Sequence, residues 1–242
     1  MAEGKIGIGG SFYGFLFRGS IIFCVLMAGL FSFDNSEAGY YSWTNEGGPY
    51  GGRIQTAAFL NNSTILAGSR HGGIYVSHDT GNSWTVVNQG LTNYIINDLA
   101  GNPANSNTVY AATGGGGVFR TYSATGDCSW VSRSYNLGSD NVLSLAVCPA
   151  DTTTLVAGTV NGIYKTVNCA SYWYEISGDL PDKNINAVAF ASGGADTIFV
   201  GTNSGVFKTE NNGSTWLEKN TGLTNPFITD IKINRPISPL FP

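Results

Sequence analysis

Charge is scarce in this 242-residue chain. Asp, Glu, Lys and Arg together make up 12% of it, against about a quarter in an ordinary soluble protein. The 12 basic residues are scattered and the net charge is −4. Neutralising phosphates takes clustered Lys and Arg, so nucleic acid is excluded as a partner. With two histidines and no Cys-x-x-Cys pair, no metal site and no cofactor are expected. His71 and His78 read as loop residues. Past residue 38 no segment keeps apolar residues at helical spacing over three turns, which excludes a helical fold. The run Gly114-Gly115-Gly116-Gly117 joins two strands and has no following helix, so it is no phosphate cradle. What abounds is glycine, 33 residues, with Asn, Ser and Thr crowding the gaps between short apolar runs. Such a chain suits many strands joined by tight turns.

The first 38 residues read as a signal peptide. Lys5 and Arg18 flank a Gly-rich lead, the apolar block Ile21–Phe31 follows, and Ser36-Glu37-Ala38 offers small residues for cleavage. The block falls short of the ~20 apolar residues of a membrane span, although an uncleaved anchor is the alternative. Either way the chain is expected to be exported to the periplasm, the cell surface or the medium, with no membrane span after cleavage. Cleavage would remove Cys24 and leave Cys128, Cys148 and Cys169. They read as small buried hydrophobes or as one optional disulfide, with the pairing open.

A repeat organises the rest. Gly73-Ile74-Tyr75, Gly117-Val118-Phe119, Gly162-Ile163-Tyr164 and Gly205-Val206-Phe207 step by about 44 residues, the period of a four-stranded blade. Each is preceded by a second strand such as Leu155–Thr159, followed by a turn and a tryptophan, and then by an apolar run such as Val142–Val147. These runs predict innermost strands packed between neighbours. Since one such sheet exposes both faces, it needs neighbours stacked radially. The expected fold is all-β: a β-propeller of four-stranded antiparallel blades, about four of them complete with partial end strands, read as part of a larger propeller, with repeats near 53–88, 95–134, 142–177 and 185–220. A lone fourth strand at 42–45, a partial unit at 228–234 and a Pro-rich tail at 235–242 complete the propeller region, residues 39–234, and its end.

The turn before each tryptophan carries the most specific signal. Ser77-His78-Asp79-Thr80-Gly81-Asn82-Ser83-Trp84 resembles the Asp box, and Thr209–Trp216 keeps it with Asn211 for the acid and Gly213 for the glycine. The copies ending at Trp130 and Trp173 are degenerate: one has a shifted acid at Asp127, the other lacks the glycine. A carboxylate or amide here binds N–H groups of its own turn, so the box reads as a folding device and Asp79 as structural.

On these motifs, residues 42–234 resemble the Asp-box (BNR) propellers, a group that includes sialidases, family 74 xyloglucanases, the sortilin-type ectodomain and the photosystem II assembly factor propeller. Trp43–Gly52 resembles the first-blade opening of bacterial exported members without an assigned activity. The resemblance implies architecture strongly and activity weakly. A sialidase would bring an arginine triad and a Phe/Tyr-Arg-Ile-Pro motif, which Gly52-Arg53-Ile54-Gln55 only partly echoes. A family 74 enzyme would bring a catalytic Asp after its Ala-Arg-Thr stretch. Here Ala67-Gly68-Ser69-Arg70 puts arginine there, and glycosidase chemistry needs two carboxyl groups.

No catalytic residue is therefore assigned. Asp98 and Asp230 hold equivalent places in innermost strands and are read as strand-end caps rather than as a channel pair. Loops from the fourth strand of one blade to the first of the next should share a face with the turns between strands two and three. That face is expected to present Arg70, His71, Tyr94, Asn136, Asp140, Asp182, Lys183, Asn225 and Phe227. The expected function is an exported, non-catalytic module that binds a protein or glycan. A fragmentary glycosidase-like propeller and an adhesive surface protein are the alternatives. Self-association through open blade edges is a further expectation.

Overall fold

The computed structural model describes residues 31–35, 41–45, 53–126, 128–192 and 194–233. The leader residues 1–30, with Cys24, and the tail from 234 lie outside them. Four four-stranded antiparallel sheets run in chain order. Blade 1 comprises Ile54–Phe59, Ile65–Ser69, Ile74–Ser77 and Thr85–Val86; blade 2 comprises Ile96–Asn102, Asn105–Thr113, Gly117–Thr121 and Val131–Ser132. Blade 3 comprises Val142–Val147, Leu155–Thr159, Gly162–Thr166 and Tyr174–Glu175; blade 4 comprises Ile185–Phe190, Ile198–Thr202, Gly205–Thr209 and Leu217–Glu218. The outermost strand of each is only two residues long, which leaves little bare ladder at the rim.

Blades meet through their innermost strands, and small residues make room for the contact. A Cβ on Gly68 would lie 2.5 Å from the Ile96 side chain of blade 2; one on Gly158 would lie 2.7 Å from Ile185 of blade 4. Gly201 stands the same way under Ile228 at 2.4 Å. One residue after each of these first-strand entrances the ladder bulges, between Ile54 and Thr56, Ile96 and Asp98, Val142 and Ser144, and Ile185 and Ala187. The bulge re-aims the next side chain. At two of them the extra residue is asparagine: Asn97 Nδ2 donates to the Val142 carbonyl (2.7 Å) and Asn186 Nδ2 to that of Ile228 (2.9 Å).

Those contacts also place the chain's end. Residues 228–233 occupy the place of a next blade's innermost strand but pair in no ladder, because no second strand stands beside them among the described residues. The start differs too. Tyr41–Asn45 is not lone: it pairs antiparallel with Phe31–Asn35, a stretch expected to belong to the leader. The register is that of third and fourth strands, Phe31 facing Asn45 as Phe207 faces Glu218, each partner two residues past a tryptophan.

The box turns share one backbone path even where the sequence decays. Thr80, Cys169 and Asn212 have φ of 62°, 57° and 59°, and the following Gly81, Ala170 and Gly213 have 99°, 61° and 82°. Asn tolerates the left-handed region and Cys does not. Cys169→Asn is therefore expected to stabilise the fold by about 0.5–1 kcal/mol, read as a higher urea midpoint. An unchanged or lower midpoint would show that this turn is not strained. Cys148 and Cys169 form no disulfide among the described residues; Cys128 Sγ–H donates to the Ala124 carbonyl at 3.4 Å.

Candidate functional site

Two regions gather the polar side chains: a loop face and the row of first strands. The loop face is built by main-chain bonds between two kinds of turn. Gly73 N–H donates to the Tyr94 carbonyl (3.0 Å), Gly115 and Gly117 N–H to that of Asp140 (3.1 and 2.8 Å), and Gly162 N–H to that of Lys183 (2.7 Å). Tyr94, Asp140 and Lys183 thus hold the same station in successive loops. Their backbones are fixed while their side chains are exposed. Arg70 and His71 stand exposed on the adjoining turn, where Arg70 N–H donates to the Arg53 carbonyl (2.9 Å).

The other expected face residues are committed to shaping these loops. Asp182 and Asn225 each accept from the N–H two residues on, Asn184 (2.9 Å) and Phe227 (3.0 Å), as Asn93 does from Ile95 (2.9 Å). These are Asx turns. Asp182 also accepts from the Ser204 hydroxyl (3.0 Å), tying its loop to the strand two–three turn. Phe227 is exposed but holds the station of Ile95, beside the first strand. Asn136 is set apart. It has φ 63°, and its amide donates to the Trp173 carbonyl (2.8 Å) and the Tyr172 hydroxyl (3.1 Å), against the next blade's box.

The first strands hold a polar belt that sequence reasoning left as isolated caps. Asp98, half-buried by surface area yet deep among protein atoms, accepts four hydrogen bonds. They come from the Thr56 hydroxyl (3.2 Å) and Leu99 N–H (2.8 Å) on one oxygen, and from the Ser144 hydroxyl (3.2 Å) and Leu145 N–H (2.8 Å) on the other. Ser144 in turn accepts from Val188 N–H (3.2 Å). Thr56, Asp98 and Ser144 are the first residues after the bulges of three blades, so the belt stitches four first strands together. Burial pushes the Asp98 carboxyl up; the Leu145 and Leu99 N–H groups, the Lys232 ammonium and the Thr56 hydroxyl oppose this. Asp230, at the equivalent place, is exposed and pairs with Lys232 (3.1 Å). It does not join the belt.

The box turns are held by their own side chains. Asp79 accepts from the Ser77 hydroxyl (2.7 Å), Ser83 N–H (2.9 Å) and the Ser83 hydroxyl (2.6 Å), while Ser77 Oγ accepts from Gly81 N–H (2.8 Å). Asn211 repeats the pattern with Thr209 and Thr215. Asn168 repeats it in the glycine-less copy, accepting from Ser171 and Tyr172 N–H. Asp127 lies outside the described residues. Its copy is two residues longer, Thr121 to Trp130 against Ser77 to Trp84. The Ser83 and Ser77 bonds lower the Asp79 carboxyl to about 2. A depressed carboxyl adds stability above its unfolded value near about 3.9, and that stability disappears as pH falls through about 2. Thermal melts from pH 5 to 2 are expected to fall more steeply for the native chain than for Asp79→Asn. Parallel curves would remove Asp79 from the acid response.

Three of the four box tryptophans also reach the preceding blade. Trp130 Nε1–H donates to the Val87 carbonyl (2.8 Å), Trp173 to Arg133 (2.7 Å) and Trp216 to Ile176 (3.1 Å). Trp84, with no such neighbour described, donates to Gly81 of its own turn (3.0 Å). No group of His, Cys, Asp and Glu that could hold a metal ion occurs among the described residues. Nor is any helix there long and apolar enough to cross a membrane.

Antiparallel four-stranded blades stacked through their first strands, with loop-built faces, define a β-propeller. Solved structures bear this out. An ancestral GH74 enzyme matches at 24% identity and TM-score 0.60, over 70% of this chain and 24% of its own. The extracellular domain of a putative one-component system from B. thetaiotaomicron matches at 18% identity and TM-score 0.63, over 81% and 26%. YCF48 bound to D1 peptide matches at 17% identity and TM-score 0.54, over 74% and 57%. This chain therefore spans about a quarter of the first two. At these identities the likeness shows the fold. No family model matches the sequence, and neither does any curated protein.

Proposed function

We propose that this propeller is an exported recognition module that binds a protein partner on its loop face without catalysing a reaction. One observation carries this reading: Tyr94, Asp140 and Lys183, an aromatic, an acid and a base, recur at one exposed loop station on backbones held by strand-turn bonds. Pre-set main chain with mixed side chains lowers the ordering cost of binding and suits a flat polar contact. The one deeply placed carboxylate, Asp98, has both oxygens engaged by protein donors, which fits a structural link better than an acid or base of hydrolysis. Export belongs to the same proposal.

The full chain, immobilised as bait against secreted and envelope fractions, is expected to retain a protein that the Tyr94→Ala/Asp140→Ala/Lys183→Ala variant loses. The variant should keep its β-sheet circular dichroism, because all three side chains are exposed. Capture of the same proteins by both forms would sink the assignment to this face. Retention of soluble glycan in place of protein would move it to the glycan reading. Steady hydrolysis of xyloglucan or a sialoside would overturn the non-catalytic part.

A further inference from the structure

The junction between blades 2 and 3 differs from the other two internal junctions in its side chains. Val87, Arg133 and Ile176 hold one station, since their N–H groups bond the carbonyls of Ile74, Val118 and Ile163. Val87 and Ile176 are buried in the apolar clusters between their own blade and the next. Blade 2 puts an arginine there. Arg133 is half-buried, its Nε is buried without a hydrogen-bond partner, and its guanidinium joins no ion pair among the described residues. The Tyr110 hydroxyl of the same junction is likewise buried and unpartnered. A guanidinium held partly out of water and unpaired carries a desolvation cost that an oxyanion would offset.

The other cations at these junctions are engaged. Arg120 lies diagonally across the ladder from Arg133, since Val131 faces Arg120 and Ser132 faces Phe119. Its Nη1 donates to the Cys169 carbonyl (2.6 Å), and its guanidinium carbon lies 4.1 Å from the centre of the Tyr122 ring. Between blades 3 and 4, Lys165 donates to the Ala195 carbonyl (2.7 Å) and to Asn212 Oδ1. Arg133 is the cation left over.

Beside it the outer rim turns aromatic. Trp173 of blade 3 donates through Nε1 to the Arg133 carbonyl (2.7 Å) and through its N–H to that of Tyr135 (3.1 Å), which sets both residues against the box turn that carries Tyr172. Tyr135 is 73% and Tyr172 45% exposed, with ring centroids 5.7 Å apart and planes tilted by 59°. Asn136 fixes the pair by donating to the Tyr172 hydroxyl (3.1 Å) and the Trp173 carbonyl (2.8 Å). Its Oδ1 accepts from no donor among the described residues, and neither tyrosine O–H donates to an acceptor there. The same stations hold Gln89 and Ser129 between blades 1 and 2, and Gly178 and Thr215 between blades 3 and 4. The exposed tyrosine pair and the unpaired arginine thus occur together, at one junction of three.

We propose that the outer rim of the blade 2–3 junction binds an acidic polysaccharide, with a uronate carboxylate on Arg133 and the C–H face of a sugar ring on the Tyr135–Tyr172 pair. A guanidinium and a carboxylate make a charge-assisted pair. Aromatic rings edged by two hydroxyls and an amide carbonyl match a ligand that has an apolar face rimmed with hydroxyl groups. A sugar has both, and a uronate adds the anion. Acidic peptides are recognised by clusters of arginine, whereas at this junction Arg120 is already engaged and Arg133 stands alone. One carboxylate per sugar residue meets one free cation. The site uses none of Tyr94, Asp140 and Lys183, and so does not depend on what the loop face binds.

Calorimetric titration of the full chain with a polygalacturonate oligomer is the test. Binding that weakens as salt is added is expected. The fully methyl-esterified oligomer, with the same rings and no charge, should bind about tenfold more weakly or worse. Arg133→Gln and Tyr135→Ala should each weaken binding by about tenfold or more, and Arg133→Lys by less. Tyr135 is exposed, so its variant keeps the native circular dichroism and tests the site even if Arg133→Gln fails to fold. The Tyr94→Ala/Asp140→Ala/Lys183→Ala variant should bind the oligomer as the native chain does, which separates this site from the loop face. No binding, equal binding of the methyl ester, indifference to Tyr135→Ala, or loss in the triple variant would each overturn the proposal. Tighter binding of a polyglutamate peptide would overturn it in favour of an acidic protein segment.

Discussion

Trp173→Ala is expected to destabilise the chain by about 3–5 kcal/mol, the range for emptying the site of a buried aromatic. Trp173 is fully buried, packs in the cluster shared by blades 2 and 3 with Tyr110, Leu145 and Tyr164, and bonds the Arg133 carbonyl through Nε1. Alanine leaves a cavity that the stacked sheets cannot close, and orphans that carbonyl. Trp84→Ala removes the same side chain from an equivalent turn and is expected to cost clearly less. That residue is partly solvated and bonds only within its own box. Urea melts of the two variants decide the matter. Equal losses would mean that the tryptophan acts through its own turn and not as a link between blades.

Asp98→Ala is the second large effect. The substitution leaves Leu99 and Leu145 N–H groups and two hydroxyls without their acceptor, and each buried N–H left unmatched costs about 1–3 kcal/mol. A total loss of about 2–4 kcal/mol is expected. Asp98→Asn should fall between the two, since one carboxylate oxygen becomes an NH2 that faces a donor. The pH response has the opposite sign to that of Asp79. The folded Asp98 carboxyl is pushed up by burial, so the folded chain holds this proton more firmly than the unfolded one. Its contribution is fully present below the unfolded value near about 3.9 and is lost as pH rises through the folded value. Asp98→Ala should therefore flatten the decline in stability just above pH 4. A variant with native stability and an unaltered pH profile would remove Asp98 from the belt.

Much of this was legible in the residues. A Gly-aliphatic-aromatic step every 44 or so positions, a Trp following each, and apolar runs between them describe a blade, because one sheet with two apolar faces has no other way to bury both. The box at Ser77–Trp84 was legible as a turn, since Asp, Gly and Ser in that order satisfy the local backbone. Tyr94, Asp140 and Lys183 were legible as loop tips, but not as one repeated station, which only the backbone bonds from Gly73, Gly117 and Gly162 reveal. Asn136 was grouped with them by its place in a loop, although its left-handed turn carries it to the neighbouring box instead. The pairing of Phe31–Asn35 with Tyr41–Asn45 was missed because an apolar stretch near the start reads as a leader whichever partner it finds.

By itself the sequence determined the strand order, the blade period and the chemistry of each turn, all of which are local. A residue two or four places from its partner leaves its spacing in the chain. The tertiary structure decided how blades join: that Asp98 binds the blades on both sides of its own, and that Arg120 and Lys165 end on the next blade's turns. These contacts link residues some forty positions apart. Whether a given polar group finds its partner there depends on which blade stands beside it, and that is a property of the stack rather than of any one repeat.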